Sequence, residues 1–165
     1  MPLLKNGKIV SDDWVPVADD ADISDEKAVV VSLERWLDQA ETLKKRNAPV
    51  AVAIRNDQSP SELVDDLDAI DAVFLTFPVY TDGRAFSQAR LLRQRYRFKG
   101  EIRATGNVLR DQYAFMQRCG FDAFKVKDGT DLDGWGRSAA SVSEVYQTAA
   151  DGVQAIWARR QGTAA

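Results

Sequence analysis

The run Tyr80-Thr81-Asp82-Gly83-Arg84 holds residue types that can do two kinds of work. Gly83 allows a tight turn, and Thr81 or Asp82 can cap the first amides of a following helix. A helix N-terminus beside an arginine also suits an anion, because amide donors and a guanidinium converge on one point. The alternative is a plain capping turn, with Arg84 paired to Asp82 or Asp111. A second group, Gly106, Asn107, Arg110 and Asp111, follows the apolar run that contains Arg103. Alternation sets Arg103 on the opposite face from Ile102 and Ala104, and a buried arginine must pair with a carboxylate or hold a ligand. Tyr80, Thr81, Asp82, Arg84, Arg103, Asn107, Arg110 and Asp111 are therefore the candidate ligands for a small oxyanion.

What is missing narrows the chemistry further. The 165 residues contain no histidine and one cysteine, Cys119. Histidine metal sites, Ser-His-Asp and Cys-His catalysis, an internal disulfide and a cysteine-only iron–sulfur cage are excluded within one chain. Acid–base work falls to Asp, Glu, Lys, Tyr, Cys or water. Neither a dinucleotide fingerprint nor a P-loop is present, and Gly134-Trp135-Gly136 is a lone G-x-G with no strand before it. Asp65, Asp66 and Asp68 read as the polar face of a helix, and no metal site is expected. Cys119, near a helix end, reads as core rather than as a reactive thiol.

Charge is unevenly spread. Residues 1–78 carry 8 Lys/Arg against 16 Asp/Glu, while residues 79–127 carry 11 against 4. The second segment holds Arg90, Arg93 and Arg97 at helical spacing, which is either a solvated face or a dock for an acidic protein. The chain as a whole is acidic, with a net charge of −3, so nucleic acid is not an expected partner. No apolar run is long enough for a membrane helix, the N-terminus has no secretory pattern, and a cytoplasmic location is expected.

The elements that must position these groups alternate regularly. Leu3-Leu4 and Ile9-Val10 flank Asn6-Gly7, the pattern of a hairpin. Residues 1–26 then read as a hairpin arm with a short edge strand at Trp14–Val17 and an acidic connector. Residues 27–161 read as a single α/β domain. Its apolar runs are 28–31, 50–54, 72–77, 101–105 and 121–126. Helical patterns lie between them: one after Ser32, one from a Ser59-Pro60-Ser61-Glu62 capping box to about Ala69, one over 85–96, and one capped by Asn107 and ended by Gly120. Residues 128–136 read as a loop. A second capping box, Ser141-Val142-Ser143-Glu144, opens a C-terminal helix through Trp157, with a frayed tail from Gln161. Five strands alternating with helices predict a largely parallel five-stranded sheet with helices on both faces, flavodoxin-like and doubly wound, with part of a TIM-type barrel as the alternative.

Three stretches carry a resemblance. Residues 77–93, from Phe77-Pro78-Val79-Tyr80-Thr81-Asp82-Gly83-Arg84, the run Gly100-Glu101-Ile102-Arg103-Ala104-Thr105-Gly106-Asn107-Val108-Leu109-Arg110-Asp111-Gln112, and Arg118-Cys119-Gly120-Phe121-Asp122-Ala123-Phe124 resemble, in this order, a bacterial family of domains of unknown function. The resemblance implies a setting more than a chemistry. Members are encoded beside the haemoprotein subunit of sulfite or nitrite reductase and are labelled as oxidoreductases of sulfite reduction. No active site comes with the resemblance, so it assigns neither a catalytic residue nor a cofactor. Taken with the basic balance of residues 79–127, that setting leads to the expectation of an accessory or electron-transfer adaptor in assimilatory sulfite reduction, with sulfite reductase haemoprotein or its electron donor as partner, docking at Arg90, Arg93 and Arg97. The other reading is an oxidoreductase of that pathway that binds a phosphate-bearing cofactor such as a flavin at the strand-end cluster.

Overall fold

The computed structural model of the chain describes residues 1–23, 27–140 and 144–160. Asn6 and Gly7 both take positive φ, 51° and 74°, and so close a tight hairpin between β1 (Leu3–Lys5) and β2 (Lys8–Val10). A two-residue strand β3 (Val15–Pro16) follows, and then the apolar runs form β4 (Val29–Ser32), β5 (Val50–Ile54), β6 (Ala72–Phe77), β7 (Glu101–Gly106) and β8 (Ala123–Lys125). All eight belong to one sheet, in the order β2-β1-β8-β7-β6-β5-β4-β3. From β3 to β8 the strands are parallel, and β1 and β2 add an antiparallel edge beside β8.

This order corrects the expectation of a doubly wound sheet. A doubly wound sheet reverses its strand order at a switch point; here β4 to β8 run in chain order without a reversal. Right-handed crossovers then put every helix on the same face. Side-chain packing agrees. Val29, Val31, Val52, Ile54, Val73, Leu75, Phe77, Ile102, Ala104 and Phe124 join the helices in one core, whereas the alternate residues Val30, Ala51, Ala72 and Phe74 form a separate small cluster with Trp14 and Ala53. The sheet is curled into half a barrel, so the partial-barrel alternative describes it.

Connectivity enforces the curl. β2 and β3 lie at opposite edges, and four residues, 11–14, join them. Eight strands laid flat would separate those edges by roughly 33 Å, but the chain from Val10 to Val15 reaches about 18 Å at most. The segment therefore crosses the concave face as a strap. Trp14 meets Phe74 edge-on at 5.8 Å, and Asp12 reaches Arg103 at 2.6 Å. Beyond the crossing, Val15 N–H donates to Ala28 O and Val17 N–H to Val30 O.

The convex face carries α1 (Leu33–Leu43), α2 (Arg84–Arg90) with a π-helical turn at Leu91–Arg95, α3 (Tyr113–Cys119) and α4 (Leu132–Ala140). Ser32 caps α1 through Arg35 N–H, and Gly120 ends α3 at φ 104°, both where the residue types require it. Elsewhere tertiary contacts override the local pattern. Residues 59–69 form two 3₁₀ turns, not an α-helix, because Asp66 is committed to Trp36 Nε1 and Lys44. Asn107 caps nothing: its N–H donates to Phe77 O at 2.7 Å, and a 3₁₀ turn at Arg110–Gln112 precedes α3. The expected loop at 128–136 is corrected by α4, in which Asp131 caps the Gly134 N–H and Trp135 stacks on Tyr113 at 5.0 Å.

The C-terminal helix is corrected as well. Residues 144–155 are irregular, and only α5 (Ile156–Arg160) is helical. Ile156 N–H donates to Val145 O at 2.8 Å, a closure that eleven helical residues, rising about 16 Å, would forbid. Arg118 holds this loop through Asp151 and Gln147 O. Ser141-Val142-Ser143 and the tail from Gln161 lie outside the described residues, as do residues 24–26 of the acidic connector. Among the described residues no helix is long and apolar enough to cross a membrane.

Gly106 ends β7 at φ +83°, and a Cβ there would lie 2.4 Å from Phe77 O. Gly106→Ala should lose about 2–4 kcal/mol of stability, measured by chemical denaturation with unchanged cooperativity. A loss under about 0.5 kcal/mol would show that the β6–β7 rim is loosely held.

Candidate functional site

The carboxyl ends of β5, β6 and β7 lie side by side, since Ile54 pairs with Leu75 and Phe77 with Gly106. The loop 78–83 and the loop that begins at Gly106 are thus neighbours, joined also by Gln112 Nε2 to Tyr80 O at 3.4 Å. Three chains of polar bonds occupy this rim. Arg84 grips Asp82 through Nε at 3.0 Å and Nη2 at 2.7 Å, and Asn56 donates to the same carboxylate. Arg55 pairs with Glu34 at 2.6 Å, and Gln58 donates to the same Glu34 oxygen at 2.9 Å. Gln88, buried in α2, donates to the carbonyls of Arg55 and Gln58, both at 2.8 Å, while its own amide oxygen is buried with no partner among the described residues.

Those bonds decide what the rim presents. Arg84 satisfies Asp82 and so fulfils the capping-turn alternative, with Asp82 Oδ1 accepting from Arg84 N–H at 3.2 Å. Hydrogen bonds from Arg84 hold the Asp82 carboxyl down to about 2. Tyr80, Thr81, Arg110 and Asp111 are exposed. The Arg110 guanidinium makes no hydrogen bond or ion pair among the described residues and lies against Gly134 at the start of α4.

Arg103 is not part of the rim. It stands on the concave face, 1% exposed, with its guanidinium 4.3 Å above the Phe74 ring. Nε and Nη2 both reach Glu101 Oε1, at 2.9 and 2.8 Å, and Nη1 reaches Asp12 at 2.6 Å. Lys125 completes Asp12 at 3.0 Å, and Lys5 completes Glu101 at 2.7 Å. Burial alone would raise the Asp12 carboxyl, but hydrogen bonds from Arg103 and Lys125 outweigh it and hold the group below its usual range. The eight candidate ligands therefore divide between two places. The residues missed at sequence level are Asp12, Lys5 and Glu101. Glu101 was legible as the strand neighbour of Arg103 on the same face; Asp12 and Lys5, far away in the chain, gave no signal.

The three helix arginines also divide. Arg93 turns inward, donating to Gly120 O, Phe98 O and Gly100 O and pairing with Asp122. Arg90, Arg95 and Arg97 stay exposed without a carboxylate partner among the described residues. Between α2 and α3 an aromatic row leads outward: Phe77 meets Phe86 at 5.0 Å, and Phe86 meets Phe115 at 4.9 Å. Phe115 is 54% exposed and Tyr80 53%. Cys119, at the end of α3, is buried, which pushes its thiol up to about 11; it is core, as its position near a helix end implied.

Residues 51–157 match the family described as bacterial protein of unknown function (DUF934), and the chain belongs to that family. No curated protein matches it.

Because the folded Asp82 titrates near 2 and an unfolded aspartate near 3.8, its contribution to stability is complete above the higher value and disappears as pH falls through the lower one. In Arg84→Ala the Asp82 carboxyl should return toward 3.8, read by carboxyl NMR titration. An unchanged titration would mean that Asn56 and the backbone, not Arg84, hold the carboxylate.

Proposed function

We propose that this protein is an accessory or electron-transfer adaptor of assimilatory sulfite reduction, and that it docks an acidic partner on the surface formed by α2, its π turn and the α2–α3 seam. The observation that carries the docking part is that α2 and its π turn bear exposed arginines with no carboxylate partner among the described residues, next to a seam where Phe115 is exposed. Residues 83–100 contain six cations and no carboxylate, and among the described residues only Arg84 and Arg93 in that stretch find acidic partners. Arg90 and Arg95 flank a shallow cavity of 370 Å³ with Ser87, Leu91 and Gln94. Across the α2–α3 seam Phe115 meets Phe86 of α2 at 4.9 Å, and Tyr80 is tied by its carbonyl to Gln112 just before α3. Arginine, tyrosine and phenylalanine are the types enriched where interfaces concentrate their energy. The pathway rests on the resemblance of residues 77–124 alone.

Electrostatic docking leaves a kinetic mark. Unpaired surface cations steer an acidic partner, and that steering fades as salt shortens the screening length to roughly 8 Å at physiological strength. Arg90→Glu with Arg95→Glu should slow association with purified sulfite reductase haemoprotein about tenfold or more at low salt and flatten its salt dependence. Folding should be intact, because exposed substitutions cost about 0.5 kcal/mol or less. Phe115→Ala should act instead on the dissociation rate. Equal association rates for wild type and the double variant at both salt concentrations would refute docking at this surface.

A further inference from the structure

The concave face of the half-barrel raises a separate question. Arg103 is held in place without help from the strap: Glu101 binds two of its nitrogens, and Phe74 lies beneath its plane. Its remaining edge, Nη1, faces outward to a carboxylate that comes from elsewhere in the chain, 91 residues away. Lys125 faces the same carboxylate from the neighbouring strand. A fixed guanidinium edge and an ammonium converging on one pair of oxygens is the donor set of an oxyanion site.

Charge points the same way. Lys5, Arg103 and Lys125 face Glu101 and Asp12. Without Asp12 three cations face one carboxylate, an excess of two, which a divalent oxyanion neutralises and a single carboxylate does not. The Thr105 hydroxyl lies two residues beyond Arg103 on the same face and is half-buried beside Thr76, 3.2 Å away. The strap that brings Asp12 is short and lightly held. Its anchors are Asp12, the edge contact of Trp14 with Phe74, and the two backbone bonds of Val15 and Val17.

We propose that Arg103 and Lys125 form a site for a tetrahedral or pyramidal oxyanion, that Asp12 fills it from within the chain, and that a divalent oxyanion displaces Asp12 and frees the strap. The strap is then a tethered ligand. Its advantage over a free anion is its effective concentration, in the millimolar range for a short tether, so millimolar oxyanion is the range in which exchange occurs.

Sodium sulfate is the probe, with sodium chloride at matched ionic strength as the control. Asp12→Ala should bind sulfate saturably in calorimetry, with a thermal upshift that chloride does not give, and Asp12→Ala with Arg103→Met should bind at least tenfold more weakly. In wild type, millimolar sulfate should speed amide hydrogen exchange at Val15 and Val17 at least tenfold over chloride, while β5 and β6 keep their protection. Sulfite and phosphate in place of sulfate distinguish the oxyanions. Asp12→Ala that binds no sulfate at tens of millimolar overturns the site. Wild-type exchange that sulfate leaves unchanged overturns the displacement. If Asp12→Ala does not fold, Asp12→Asn takes its place, and the wild-type exchange measurement stands without any variant.

Discussion

The strap that crosses the concave face sets the curvature of the whole sheet. Its four residues join strands at opposite edges of an eight-stranded sheet, so the sheet must curl until the edges approach. Curling crowds the inner face, and its strands are small there: Ala51, Ala53, Ala72 and Ala123. Room for a large side chain is left at Phe74, and Trp14 and Arg103 close over it. A buried ion pair is poor evidence for net stability, since desolvation offsets the attraction. What the Arg103–Asp12 pair does supply is register, because Asp12 meets Arg103 and Lys125 together and so fixes where the strap crosses.

Chain-order strands have a second consequence. Helices α1 to α4 cover the convex face, so among the described residues the small concave-face cluster is closed by the strap and the strands' own side chains. A doubly wound sheet would have buried both faces under helices and left its carboxyl-end crevice as the natural ligand site. Here the polar rim is mostly spent on itself: Asp82 on Arg84 and Asn56, Glu34 on Arg55 and Gln58. The other charged groups lie to either side of the rim, in the paired cluster of Arg103, Lys125, Lys5, Asp12 and Glu101 inside the curl and on the exposed arginines outside it.

Much of this was legible in the sequence, and the rest was hidden for identifiable reasons. The five apolar runs that form β4 to β8, the Asn6-Gly7 turn, the cap at Ser32 and the stop at Gly120 follow from local chemistry, though the sheet they build has eight strands. The neighbouring rim loops follow from consecutive parallel strands. Strand order was not legible, because continuous apolar runs such as Val50–Ile54 do not say what covers each face; here alanines on one face meet a strap, and valines and isoleucine on the other meet helices. The helix at 132–140 was hidden by two glycines, whose cost the Asp131 cap and the burial of Trp135 offset. The irregular segment 144–155 was hidden by a good helical pattern that the contacts of Arg118 override.

The π turn at Leu91–Arg95 shows how one local irregularity separates the structural from the exposed. A regular helix would keep Arg90, Arg93 and Arg97 on one side, as their spacing implies. The wider turn, with Tyr96 N–H bonding to Leu91 O, changes the phase after Arg90, and the helix ends at Tyr96, with Arg97 at φ 58°. Arg93 then lies over the end of α3, where its guanidinium collects the carbonyls of Phe98, Gly100 and Gly120 and pairs with Asp122, whose carboxylate also accepts the Ile102 N–H at 2.8 Å. One arginine thereby ties α2, α3 and the entry to β7 together. Its neighbours Arg90 and Arg95 gain no carboxylate partner among the described residues and remain at the surface. Six cations in eighteen residues are thus not one feature but two, and the π turn sets the boundary between them.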